Sequence, residues 1–390
     1  MYHKINNGLF VAMLSLASVQ AYAVQVTDNL QLGGAIRARY DYIPTDNVEN
    51  RLGFDAAALF ASYNSDTWIG DVKYWFYGRY WPYQYTDKVG DISFAQNAWV
   101  GYKFDKDRHV EVGLNQIPFG LQPLFGNTFT ETLGYLIGLE DTYELGAKYV
   151  EQNGDWNYQV GYYARPAWQG KGTSRDGVGY SNVIAKADDY VPEGSNNQER
   201  NVLVGRIAKN IELGDWKIEA GASLLTSTIE NTDTNDNGRR NVFGLHSVAK
   251  TGQWTLQGLA ARQQISARNP GNDDIITYGG YDASFNVATR ANLYVGEVSY
   301  DIPGSWLDVN TVKLYANYSM LQKSGDDYKD SQRYIVGSSF YVGSHLYIAG
   351  EWLFGRNDPY VGGESFTDGL AAGGSNQWDN QFTMNIGYYF

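Results

Sequence analysis

The stretch at residues 378–390 leaves few folds open to this chain. Trp378, Asn380, Phe382, Met384, Ile386, Tyr388 and Phe390 share one parity, and Asp379, Gln381, Thr383, Asn385, Gly387 and Tyr389 share the other. Side chains alternate across a β-strand, so an extended segment of this kind has one apolar face and one polar face. On an open sheet such a strand is an edge that templates aggregation. A closed barrel in lipid removes the edge and turns the apolar face toward hydrocarbon. The competing reading, a last strand of a soluble β-sandwich, leaves the outward face too apolar.

At the other end, Lys4 precedes the apolar run from Leu9 to Leu14, continued by Leu16, Ala17 and Val19. Ala21-Tyr22-Ala23 then supplies the small-x-small pattern of a secretory cleavage site. The run is shorter than the ~20 residues a membrane-spanning helix needs. We read residues 1–23 as a removable signal peptide and residues 24–390 as one transmembrane β-barrel domain, placed in the outer membrane of a Gram-negative bacterium. The chain has 44 Gly, 32 Tyr and 11 Trp, a composition suited to a curved sheet with aromatic girdles. It has no Cys, which removes disulfides, thiolate metal sites and thiol nucleophiles. A net charge of -13 argues against a nucleic-acid partner, which calls for a basic patch.

A repeated short turn organises the middle of the chain. Trp68, Trp156, Trp216, Trp254 and Trp306 each follow a turn such as Gly154-Asp155 or Gly214-Asp215. Two further tight turns, at 105–107 and 343–344, lack the Trp. Between successive turns lie two alternating stretches separated by a longer polar segment. Short periplasmic turns, long outer loops and interfacial Trp are the layout of an outer-membrane barrel. Seven short turns and eight loops give about sixteen strands, with Trp68, Trp156, Trp216, Trp254, Trp306 and Phe390 in the membrane-interface girdle. Two features fit poorly: Arg262 shares the parity of Trp254 and Leu256, and the connection 301–309 is long for a periplasmic turn.

Parity also assigns the lumen. In 30–42, Arg37, Arg39 and Asp41 point inward; in 68–81, so do Asp71, Lys73, Trp75, Tyr77 and Arg79. Further along, the inward set takes in Lys103, Glu111, Glu144, Lys148, Tyr163, Arg206 and Lys313, together with Asp55, Trp99, Glu219, Glu297, Tyr315 and Glu351. Such charges either set ion preference or pair with one another and hold the barrel in shape. The inward rings either stack on sugar faces or fill space against the wall.

The third outer loop, residues 118–141, reads PFGLQPLFGNTFTETLGYLIGLED and has no Lys or Arg. So apolar a loop does not belong in water, and long loops of this kind are often functional. It is expected to fold into the barrel and narrow the pore, bringing Pro118, Phe119, Phe125, Glu131, Tyr135, Glu140 and Asp141 to the constriction. The alternative is a lid on the barrel mouth or packing between subunits.

The strand count, the terminal Phe390 and the inserted third loop resemble sixteen-stranded trimeric Gram-negative porins. The segment Val110-Glu111-Val112-Gly113-Leu114-Asn115-Gln116-Ile117-Pro118-Phe119-Gly120 resembles the strand-to-loop passage of the phosphate-selective porin O/P group. The resemblance implies a passive channel that assembles as a homotrimer among outer-membrane lipids and lipopolysaccharide. It also implies a basic lumen wall, for which Arg37, Arg39 and Arg79 are the candidates. The third loop departs from that pattern, carrying Glu131, Glu140 and Asp141 and no cation.

Other chemistries find little support. Asp233-Thr234-Asn235-Asp236-Asn237-Gly238 matches the first half of a calcium loop, but Gly244 stands where the bidentate Glu belongs. His246 and Ser247 are adjacent on a strand and point to opposite faces, so they form no catalytic dyad. No cofactor-binding spacing occurs. The expected function is a non-enzymatic, water-filled channel for small hydrophilic solutes, with neutral oligosaccharides ahead of anions such as phosphate. A surface adhesin or structural anchor is the alternative from another class, carried by the long loops 165–200 and 356–377. An outer-membrane lipase ranks last.

Overall fold

The computed structural model describes residues 24–44, 48–306 and 308–390. The expected signal peptide lies outside the described residues. Sixteen antiparallel strands form the barrel: β1 (Leu30–Ile43), β2 (Glu49–Asn64), β3 (Trp68–Tyr77), β4 (Ile92–Lys103), β5 (Arg108–Gln116), β6 (Tyr143–Asn153), β7 (Trp156–Pro166) and β8 (Asn197–Leu213), then β9 (Trp216–Asn231), β10 (Asn237–Thr251), β11 (Trp254–Ser266), β12 (Arg290–Trp306), β13 (Val309–Lys323), β14 (Ser331–Val342), β15 (Leu346–Arg356) and β16 (Trp378–Tyr389). Each strand pairs with the next, and β16 returns to β1 with Tyr389 opposite Ala35 and Phe382 opposite Tyr42. No edge is left for lipid to meet. Among the described residues no helix is long and apolar enough to cross a membrane.

Beyond the last rung, the Gly34 and Phe390 backbones exchange hydrogen bonds of 2.7 and 3.0 Å. A Cβ on Gly34 would lie 2.7 Å from the Ala58 carbonyl and 2.8 Å from the Phe390 ring, so glycine is required where the ends meet. The alternation seen in the sequence is obeyed around the barrel. Leu32, Ile36, Leu224, Phe243, Leu245 and Val336 face outward and are exposed, whereas Val204, Leu225 and Leu293 point inward and are buried.

Both awkward features of the sequence are resolved. β12 continues through an irregularity between Pro303 and Trp306, so its turn to β13 is short after all. Arg262 does face outward with Trp254, near the outer end of β11. One strand ends earlier than expected: β3 stops at Tyr77, because Gly78 adopts a φ of 123° and turns the chain. A Cβ there would be 2.4 Å from the Lys88 carbonyl.

The eight outer loops, L1 to L8 in chain order, include structure that periodicity did not announce. L6 (267–289) holds a hairpin of Ile275–Gly280 and Ala283–Ala288, and Val183–Ile184 of L4 (167–196) pairs with it to make a three-stranded sheet. L8 (357–377) docks on this hairpin through Asn286 N to Phe366 O at 2.9 Å and Ala288 N to Leu370 O at 3.0 Å. A continuous apolar core joins the inner wall to L3 (117–142), L4, L6 and L8.

Candidate channel constriction

L3 lies inside the barrel, and the wall supplies what its backbone lacks. A dry peptide segment must find partners for its N–H and C=O groups. The Gly120 N–H donates to Ser223 Oγ on β9 at 3.0 Å, and its carbonyl accepts from Arg206 Nε on β8 at 2.8 Å. The Asn127 N–H reaches both oxygens of Glu297 on β12, at 3.0 and 2.8 Å. Glu351 on β15 accepts from the N–H groups of Phe129 and Thr130, the latter at 2.9 Å. Ser319 on β13 accepts from Leu133 N at 3.1 Å. Arg240 on β10 donates to the Ile137 carbonyl at 2.7 Å, and Arg333 on β14 to the Glu131 carbonyl at 2.6 Å.

The loop is also braced from within. Thr132 caps the one-turn helix α1 (Leu133–Leu136), its Oγ1 accepting from Gly134 N at 3.0 Å. Buried Glu140 accepts from Phe125 N at 2.7 Å and from the Thr132 N–H and hydroxyl at 2.9 and 2.6 Å. Burial pushes Glu140 up to about 7 despite these donors. Part-exposed Glu131 is pushed up to about 8 by desolvation and then by the Asp141 and Glu140 charges. Asp141 is also raised by burial, and it accepts from the hydroxyls of Tyr143 at 2.9 Å and Tyr180 at 2.5 Å.

A chain of rings crosses the barrel above L3. Tyr135 of α1 lies 6.3 Å from Tyr180 of L4 and from Tyr281 of L6. Tyr281 is 5.6 Å from Tyr77 on β3 and 5.1 Å from Phe94 on β4. The Tyr83 hydroxyl of L2 (78–91) donates to the Tyr281 carbonyl at 3.2 Å. The contacts run from the β13 side, where L3 is pinned, to β3 and β4 opposite. Tyr281 and Asp282 form the L6 hairpin turn with φ of 52° and 67°, the type I′ geometry. The β-branched and aromatic run Ile275-Ile276-Thr277-Tyr278 before that turn is the sequence signal for the hairpin.

On β1–β6 the inward charges meet one another. Arg37 pairs with Asp55 at 2.8 Å, donates to the Tyr77 hydroxyl at 3.1 Å and lies 4.3 Å over the Trp75 ring. Phe129 of L3 approaches the same guanidinium at 5.5 Å. Arg39 pairs with Asp41 at 2.8 Å, and Lys148 with Glu111 at 3.0 Å. Asp71 accepts from Asn97, and Trp75 Nε1 donates to Gln96 at 2.9 Å. Lys73 sits 5.3 Å over the Phe60 ring, in no ion pair among the described residues. Lys103 bonds Asn64 and the Ser65 carbonyl near the periplasmic end, where Lys313 pairs with Asp301 at 2.6 Å.

Several assignments made from the sequence need correction. Arg79 is not on the lumen wall: it follows the Gly78 turn, is exposed in L2 and lies 5.6 Å over Tyr80. Glu144, Tyr163 and Arg206 point inward but are buried rather than bathed by the pore, and so are Trp75, Tyr77, Glu111 and Lys148. Arg206 is held by Glu219 and by His246 at 3.0 Å as well as by L3. Pro118, Phe119 and Phe125 of L3 are themselves buried, the two rings in the apolar core. Of the expected girdle, Trp68, Trp156, Trp254 and Phe390 are exposed on the outer surface and Trp216 is half-buried. The Trp306 side chain lies outside the described residues. Among the described residues no group of His, Asp and Glu is placed to hold a metal ion, the 233–238 segment included.

The profile of the family described as "Phosphate-selective porin O and P" matches residues 64–353. The chain belongs to this family. It is therefore an outer-membrane porin, a channel-forming β-barrel. No curated protein sequence matches it. Solved structures share the porin fold: Salmonella typhi OmpF in complex with daunomycin, at 13% identity and TM-score 0.60, covers 94% of this chain and 100% of that one. The anion-selective porin from Comamonas acidovorans, at 13% identity and TM-score 0.58, covers 93% and 99%. OmpT of Vibrio cholerae in its trimer form, at 14% identity and TM-score 0.55, also covers 93% and 99%.

Proposed function

We propose that this porin is a passive, non-enzymatic diffusion channel for small polar solutes of low net charge, of the oligosaccharide type. The observation that carries this reading is the state of the lumen charges. Arg37, Arg39 and Lys148 are each matched to a carboxylate within 3.0 Å, and Arg206, Arg240 and Arg333 are committed to L3 and to acidic partners. A wall of closed ion pairs offers hydrogen bonds without a strong net field. L3 and the Tyr135–Tyr180–Tyr281 bridge act as the constriction. The porin works as a homotrimer in a bilayer of phospholipid and lipopolysaccharide, an arrangement supported by the trimer form of OmpT.

Anion preference is the second reading, favoured by Lys73, by the family description and by the anion-selective neighbour. Planar-bilayer recording under a salt gradient, with maltodextrins or phosphate added, separates the two. Weak ion selectivity with saturable block by maltodextrin is the expected result. Anion selectivity with block by phosphate overturns it in favour of the second reading. Absence of conductance from folded protein would leave the loops, rather than the lumen, as the working part.

A further inference from the structure

The outer surface of the barrel is not uniform at its outer rim. Through most of its height β9–β12 presents an apolar face, with Leu224, Phe243, Leu245 and Leu256 exposed. Towards the outer ends that face turns polar. One row across the strands reads Leu224, Phe243, Arg262, Asn292 and Gln322; the next reads Thr226, Asn241, Gln264 and Arg290; the next reads Arg200, Thr228 and Arg239. On β14–β16 the outer third carries Tyr334, Trp352, Phe354 and Trp378 instead, and Arg356 there lies over the Trp378 ring.

The arginines in these rows differ in their partners. Arg200 pairs with Glu230 at 2.9 Å and Arg290 with Asp274. Arg239 and Arg262 are exposed and outward-facing, and neither is in an ion pair among the described residues. Arg262 stands eight residues beyond Trp254 on β11. At ~3.3 Å per residue and a tilt near 40°, that places it about 20 Å above the inner girdle, close to the top of an apolar band about 25 Å tall. An outward guanidinium at that depth meets lipid headgroups rather than bulk water. Arg239 lies four rungs further out on the adjacent strand, so the two Cα atoms are about 14 Å apart by strand geometry.

We propose that this face is a docking surface for the phosphorylated glycolipid of the outer leaflet, with Arg239 and Arg262 as its two phosphate ligands. Guanidinium forks match phosphate oxygens bidentately, and the spacing suits a headgroup bearing two phosphates. Asn241, Gln264 and Asn292 supply donors and acceptors for the sugar hydroxyls between them. Arg262 donates to the Gln264 side-chain oxygen at 3.1 Å, a neutral partner that leaves its charge uncompensated. In a chain of net charge -13, two outward arginines in no ion pair among the described residues are complementary to an anionic lipid and to little else in that leaflet. The proposal rests on the outer-membrane placement and not on which solute the lumen passes.

The test uses the full barrel, folded in detergent and checked by heat-modifiable gel mobility. Native mass spectrometry follows binding of lipopolysaccharide, of the same material after enzymatic dephosphorylation, and of phosphatidylglycerol. Wild type should prefer the phosphorylated glycolipid, and the R239Q/R262Q pair should weaken it by about tenfold, as expected for lost charge-assisted contacts. The R239K/R262K pair, which keeps the charge, should restore part of the loss. Equal binding by wild type and R239Q/R262Q overturns the proposal, as does equal binding of phosphorylated and dephosphorylated lipid. Stronger retention of phosphatidylglycerol also overturns it, and loss of the oligomer in R239Q/R262Q would assign the patch to a subunit contact instead. Conductance, recorded separately, tests the channel reading and is not decided by any of these results.

Discussion

On β8–β15, Arg206, Arg240, Arg333, Glu297 and Glu351 point into the barrel and hold the peptide groups of L3. On β1–β6, Arg37, Arg39, Glu111 and Lys148 point into the same barrel and hold one another or a neighbouring carboxylate. The residue types and their strand parity are alike. What differs is whether a dry backbone segment lies over them. A charge on β8–β15 is fixed to a peptide dipole of L3 and takes on a structural role, whereas the equally buried Asp55, Glu111 and Lys148 on β1–β6 are closed onto neighbouring side chains of the wall. A count of lumen charges therefore overstates the number that a solute can meet.

The sharpest way to break this contrast is to remove one charge from each wall. Arg333→Ala should be severe, because Asp358, paired to it at 2.7 Å and fully buried, loses its counter-ion while L3 loses a carbonyl anchor. A loss of about 3–5 kcal/mol is expected, seen as a lower temperature of heat-modifiable unfolding. Arg39→Ala on β1 leaves buried Asp41 without its counter-ion but frees no L3 carbonyl, and should cost about 1–3 kcal/mol by the same assay. Similar losses from the two would erase the distinction between the walls.

Freeing L3 without disturbing the barrel is the next test. Glu351→Ala strips two peptide N–H groups of their acceptor, and hydrogen bonds to a charged group contribute ~1.5–3 kcal/mol each. Single-channel conductance should rise and become noisier as the loop leaves the wall. An unchanged trace would mean that the Tyr135–Tyr180–Tyr281 bridge, and not L3, limits the current.

The covered side should also respond to pH where the open side does not. Glu131 and Glu140 have their carboxyls raised from the usual 4.5 to about 8 and about 7 in the folded loop. Their protonated forms therefore favour the folded loop: that contribution is complete below about 4.5 and is lost as pH rises through 7 to 8. Conductance noise should increase between about pH 6 and about pH 9. Glu131→Gln should remove part of that rise, and a variant with the full wild-type rise would exclude Glu131 as its source. The smallest effect belongs to the open wall. Lys73→Gln should leave stability within about 0.5 kcal/mol and shift the reversal potential toward cations.

Much of the barrel is legible in the sequence. Period-2 alternation and the Trp turns locate the strands, because lipid punishes any break in the pattern. The composition of 118–141 points to an interior position for L3 for the same reason that a core is apolar. Parity, however, gives the face of a residue and says nothing about what covers it, so Glu144 and Arg206 read as pore lining when they are buried. Arg79 was misplaced because the count ran on past Gly78, whose backbone leaves the strand. Tyr180 and Tyr281 escaped notice because they come from two loops far apart in the chain, joined only through the L4–L6 sheet. Arg262 looked like a flaw in the pattern and is instead part of a different surface.

The rung between Gly34 and Phe390 has a bearing on biogenesis. The partners are separated by nearly all of the described residues, so their contact is among the slowest to find by loop search. Until β16 reaches β1, both strands present unsatisfied peptide groups that hydrocarbon cannot solvate. A ribosome that stops early, or a protease that trims the tail, thus yields a chain with no stable resting place in the bilayer. The seam works as a proofreading step in which only a polypeptide that carries the β16 segment can commit to the membrane.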